Sequence, residues 1–184
     1  MNLADSAVHS PASDFSTLTP NGLIALLAQE GDRTSMELID ACIAHGEAMV
    51  QSLAAHIDDD ATWEADSIDA WWLPFHAALI LGRMESESSG LLLVHLMQKI
   101  DESNVSDLQD WLAGDWAALF RNKPARVIDA MRSLTMDTSL RWYTRCQGLE
   151  VILDNGMRHG PEALETAIDW VAGLANNASD EYGF

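Results

Sequence analysis

Apolar residues in this chain recur at intervals of three and four, the period of an amphipathic helix, while the strict alternation of a half-buried strand is scarce. Thr19-Pro20 offers an N-cap and a proline at the first helical position, opening "NGLIALLAQEG", which stops at Gly31. Ser35 caps "MELIDACIAHG", where Leu38, Cys42 and His45 share a face and Gly46 ends the run. "EAMVQSLAAHIDDD" then places Met49, Val50, Leu53 and Ile57 at helical spacing and runs out in three aspartates. A loop near residues 62–69 leads to "WWLPFHAALILGRM", predicted as a helix over about 70–84, and "SESSGLLLVHLMQKID" predicts another over about 87–101. Two or three residues join these two, so they must pack antiparallel. "VSDLQDWLAGDWAALFRN" with "PARVIDAMRSL", and "SLRWYTRCQGLEVILDNG" with "PEALETAIDWVAGLA", make two further pairs.

The second helices of these pairs begin near residues 88, 124 and 161, a spacing within the range of stacked helical repeats. "LLLVHLM" is apolar nearly all round, as suits an element sandwiched between neighbours. The expected fold is all-α, with stacked antiparallel helical hairpins forming a short right-handed α-solenoid. Small polar residues at both ends predict tails at 1–18 and 176–184, flanking one helical-repeat domain at 19–175.

Two stretches carry a resemblance. "YTRCQGLEVILDNG", through Arg145, Gly148, Leu149, Ile152 and Gly156, resembles the first helix of HEAT-like repeats of the phycobilisome-lyase type. "LPFHAALILGRM", through Pro74, Phe75, His76, Ala77, Leu79, Leu81 and Gly82, is followed by "DWLAGDW" at 110–116. Together they resemble a bacterial repeat family of unknown function with a Pro-Phe-His-Ala-Leu-x-x-Leu-Gly hairpin motif. The resemblance spans about residues 35–175 and implies a HEAT-like array without implying an activity. Some members of that family end in a cysteine-rich zinc motif, which this sequence does not contain, so no metal is carried over.

Charge changes the picture more than composition does. The chain has 29 Asp and Glu against 10 Lys and Arg, a formal net charge of -19, and residues 1–70 hold 13 of the acidic residues with Arg33 as their one Lys or Arg. Such a surface repels phosphate backbones and anionic headgroups, which argues against direct nucleic-acid or membrane binding and favours a protein partner with a basic surface. The same asymmetry is also an ordinary route to solubility. Two cysteines, Cys42 and Cys146, are too few for a disulfide framework or a four-thiolate zinc site and read as buried small residues in a reducing compartment. "MNLADSAVHSPASDF" lacks a basic n-region and an apolar h-region, so the expected location is the cytoplasm.

Candidate chemistry is sparse. His76 lies among Trp72, Leu73, Leu79 and Ile80, a setting for a packed ring bonded to a backbone carbonyl of the adjoining helix. Catalysis there would need a nucleophile or carboxylate within reach, and local spacing identifies none. Trp71 and Trp72 point about 100° apart on a helix, so one should be buried and the other near solvent. With Trp111, Trp116, Trp142 and Tyr143 near first-helix starts, the rings form an aromatic edge or fill space between hairpins. Arg121, Lys123, Arg126 and Arg132 cluster around the third hairpin, and Arg141 and Arg145 share a face at i, i+4. These cations pair with carboxylates such as Asp115, Asp129 or Asp137, or form a basic pocket. Cys42, His45 and His56 imitate part of a metal site without further ligands, and the aspartates at 58–60 lack the pattern of a calcium loop.

The function expected is a non-catalytic interaction module, an adaptor or scaffold, that binds a protein or peptide partner through Trp71, Trp72, Trp111, Trp142, Arg141 and Arg145, with no cofactor and no metal. The alternative is an acidic inhibitor or immunity protein occupying the cationic nucleic-acid site of a target enzyme. A third is an enzyme built around His76 and the Arg141 and Arg145 face.

Overall fold

Local capping chemistry starts the chain's first helices. Thr19 Oγ1 accepts the Gly22 N–H at 3.2 Å, with Pro20 opening the helix, and Ser35 Oγ accepts the Leu38 N–H at 3.2 Å. Gly31 and Gly46 turn the chain at φ of 54° and 53°, a region that side-chain-bearing residues rarely adopt. The computed structural model describes residues 15–64, 68–103 and 106–177; these are predominantly helical, with no strand among them. After a 3-10 turn at Phe15–Thr17 come α1 (Pro20–Glu30), a second 3-10 turn (Gly31–Arg33), α2 (Met36–Ala44), α3 (Glu47–Ile57) and α4 (Asp60–Trp63). Then follow α5 (Ile68–Arg83), α6 (Glu87–Ser103), α7 (Ser106–Leu112), α8 (Trp116–Leu119), α9 (Ala125–Met136), α10 (Trp142–His159) and α11 (Pro161–Asn177).

Several boundaries differ from expectation for identifiable reasons. The three aspartates at 58–60 are not merely the frayed end of α3. Asp59 accepts the Ala61 N–H at 3.0 Å as N-cap of α4, Asp60 lies in its first turn, and Asp58 reaches His95 of α6 at 2.7 Å. Acidic residues are thus favoured by the helix that follows. The segment expected as one helix over "VSDLQDWLAGDWAALF" is two, because the chain turns at Gly114, a poor helix former. Of the expected tails, residues 1–14 and 178–184 lie outside the described residues, Phe15–Thr17 packs against α2, and α11 runs to Asn177.

The helices are stitched in a regular order. Helix α5 packs on α1, α2 and α6; α6 also packs on α3 and α9; α8 lies against α5 and α10; and α10 packs on α9 and α11. Leu23, Leu27, Leu53, Ile80, Leu81, Leu93, Leu96 and Phe120 are fully buried between these helices. Polar contacts recur at a near-constant stride: Ser88 to Glu47 at 2.6 Å, Arg126 to Glu87 at 3.0 Å, His95 to Asp58 at 2.7 Å and Thr144 to Asp101 at 2.5 Å join residues 37 to 43 positions apart.

Candidate docking surface

Three indoles meet where the start of α5 faces α7. Trp72 and Trp111 lie 5.0 Å apart between ring centres, Trp71 and Trp72 5.2 Å, and Trp71 and Trp111 6.2 Å, each pair edge to face. Phe75, one turn further along α5, adds its ring at 5.5 Å from Trp72 and 6.1 Å from Trp111. The expectation that one of Trp71 and Trp72 is buried and the other near solvent is therefore corrected: both are half-buried. Trp111 arrives from α7 and contacts both, so rings set about 100° apart on α5 join one cluster. At these separations the rings touch each other and leave no cage for a cation between them. What they offer outward is a platform, with Trp111 itself 54% exposed. Asp107 and Asp110, both exposed, flank it on α7.

Trp142 is 55% exposed but lies outside this cluster, its ring edge-on to Tyr143 at 5.9 Å in the first turn of α10. The expected Arg141 and Arg145 face does not form. Arg145 is only 7% exposed and its Nε–H donates to the Thr135 carbonyl at 2.9 Å, closing the last turn of α9. Arg141 is the N-cap residue of α10; its Nη2 donates to the Asp101 carbonyl at 3.0 Å and its backbone N–H to Asp101 Oδ2 at 3.3 Å. Thr144 donates its hydroxyl to the same carboxylate. Asp101, buried near the end of α6, thus caps α10 from a helix about 40 residues earlier in the chain.

Lys123 follows the same logic with opposite charge. Its buried ammonium donates to the carbonyls of Leu81 at 2.6 Å, Gly82 at 3.2 Å and Met84 at the end of α5, where Leu81 also accepts the Met84 N–H and Met84 the Ser89 hydroxyl. Burial pushes its pKa down to about 8, against the opposing pull of Glu85. The sequence pattern puts Lys123 in a basic cluster awaiting carboxylates, and the structure gives it carbonyls instead.

His76 bonds a backbone carbonyl, as the packed reading expects. A carbonyl only accepts, so Nε2 carries the proton given to Gly31 O at 2.8 Å; the Thr34 hydroxyl donates to the same oxygen at 3.0 Å. The ring stacks near Trp72 at 6.0 Å and 22°, and burial lowers its pKa, which favours the neutral form. Nδ1 is buried without a partner among the described residues. Cys42 is fully buried, its thiol pushed up to about 12 by desolvation. Among the described residues no group of His, Cys, Asp and Glu is placed to hold a metal, and no helix is long and apolar enough to cross a membrane. Compared with protein-family models, with curated proteins and with solved structures, the chain matches none.

Proposed function

We propose that this chain is a non-catalytic helical-repeat interaction module, an adaptor or scaffold, whose aromatic platform docks a protein or peptide partner with a basic surface. The observation that carries the reading is the half-exposed Trp111, held in place by Trp71, Trp72 and Phe75 and flanked by carboxylates. A large ring whose rotamer is already fixed loses little entropy on binding, and such rings dominate interface energetics. The near-constant stride of 37 to 43 residues between cross-helix polar contacts supports reading the helices as stacked hairpins in a short right-handed, HEAT-like α-solenoid. The strong acidity supports a partner that is a basic protein and neither nucleic acid nor membrane, and two cysteines left as free thiols suit a reducing, cytoplasmic setting.

A Trp111→Ala variant is expected to melt near the parent temperature and to lose about tenfold or more in affinity for a captured partner, measured by calorimetry. Undiminished affinity in that variant would reject the platform. The second reading, an acidic inhibitor or immunity protein seated in a cationic nucleic-acid site, is favoured by the 13 acidic residues among the first 70. It predicts binding that weakens steeply with salt and survives Trp111→Ala.

A further inference from the structure

We propose that the cavity between the Phe15–Thr17 turn, α1 and α2 binds a free amino acid with an apolar side chain. The cavity holds about 390 Å³, within the range of small-ligand sites, and Phe15, Leu18, Leu26 and Leu38 form its apolar walls. Phe15, Leu18 and Leu26 pack against the core behind them but are only partly buried, so part of each side chain is left to line the cavity.

Two opposite charges line the same cavity, Glu30 and Arg33. They sit at either end of the 3-10 turn, and neither side chain has an ion-pair or hydrogen-bond partner among the described residues. Arg33 is the one Lys or Arg within the first 70 residues, which hold 13 acidic residues, yet it pairs with none of the described ones. The start of α2 lies on the same side, with Ser35 as its cap also lining the cavity, and adds the positive end of a helix.

Charge decides the ligand class. A simple anion with an apolar tail would approach through the field of the most acidic third of the chain and would face Glu30. An apolar cation would face Arg33. A zwitterion with an apolar body is neutral overall, puts its carboxylate on Arg33 and its ammonium on Glu30, and lays its side chain on the leucines and Phe15. That combination describes an amino acid of the leucine or phenylalanine kind.

Isothermal titration calorimetry on the full chain tests this with L-leucine and L-phenylalanine. Glycine, 4-methylpentanoate and 3-methylbutylamine serve as probes that each lack one of the three features. Saturable single-site binding of leucine or phenylalanine is expected, with each truncated probe weaker by about tenfold or more. Arg33→Gln and Glu30→Gln, both at exposed positions, are each expected to weaken leucine by a similar factor while leaving the melting temperature unchanged. Equal binding of 4-methylpentanoate, binding indifferent to both substitutions, or no heat from either amino acid at millimolar concentration would each overturn the proposal. The comparison of probes on the parent chain decides the matter even if a variant fails to fold.

Discussion

A lysine as enclosed as Lys123 keeps its charge in the fold because three carbonyls at the end of α5 accept its three protons. Removing the ammonium while keeping the volume, as in Lys123→Met, takes this donor from Gly82 and leaves Leu81 and Met84 with one donor each, and should cost about 1–3 kcal/mol in urea denaturation. The pH dependence has a definite sign. With a pKa of about 8 folded against 10.5 unfolded, the unfolded chain holds this proton more tightly, so stability rises between those values by at most about 1.4 kcal/mol per pH unit. Cys42 acts the other way. Its thiol stays protonated to about 12 in the fold but to only 9.0 when unfolded, so stability falls as pH rises above 9.0. Cys146 and Tyr143, both raised by burial, add to that fall. Stability measured from pH 7 upward should therefore climb between about 8 and 9 and then level off. Lys123→Met should abolish the climb, and Cys42→Ala should extend it; a Lys123→Met curve that still climbs would show that another group supplies the slope.

At the scale of elements, glycines decide how closely the helices approach. A Cβ on Gly82 of α5 would lie 2.4 Å from Leu119 Cδ2 and 3.2 Å from its Cα, and one on Gly148 of α10 would lie 2.4 Å from Thr135 Oγ1. Helix propensity alone favours alanine at Gly82 by about 1 kcal/mol, but forcing α5 away from α8 should outweigh it, for a net loss of about 1–3 kcal/mol. Gly114, between α7 and α8, has nothing within 4 Å and no positive φ, so Gly114→Ala should stabilise by about 0.4–1 kcal/mol. Thermal melts of the two alanine variants should move in opposite directions. Both movements downward would mean that α7 and α8 need a flexible joint.

The same scale separates what the sequence displayed from what it hid. Thr19 and Ser35 cap donors three residues away, so those helix starts were readable from neighbouring letters. Lys123, Arg145 and Asp101 cap helices across packed elements, as far as 43 residues along the chain, and local patterns contain no trace of such partners. The burial of Trp71 and Trp72 is hidden for a related reason: it depends on Trp111, about 40 residues further along the chain on α7. The candidate surface was therefore legible as a set of residue types and illegible as an arrangement. It kept three of the four tryptophans, Trp71, Trp72 and Trp111, and buried Arg145.

For the whole molecule the largest electrostatic effect outside the core is self-repulsion at a net charge of -19. Most of the described ion pairs, such as Arg83 to Asp40 at 2.7 Å and Arg126 to Glu87 at 3.0 Å, are too exposed to offset much of it. Screening by salt should relieve the repulsion more than it weakens these pairs, so the melting temperature should rise as sodium chloride goes from a few millimolar to about 0.5 M. Partner binding gives a second, independent reading of the same field. Docking on the aromatic platform buries mainly apolar rings, so its affinity should fall only modestly over that range. Docking through the acidic first 70 residues should lose affinity steeply, chiefly through a slower association rate. Melting and association kinetics across one salt series therefore separate the charge that merely keeps this protein apart from the charge that attracts a partner. A melting temperature that stays flat or falls would mean that the carboxylates are already compensated in the fold and that the acidic third is not under strain.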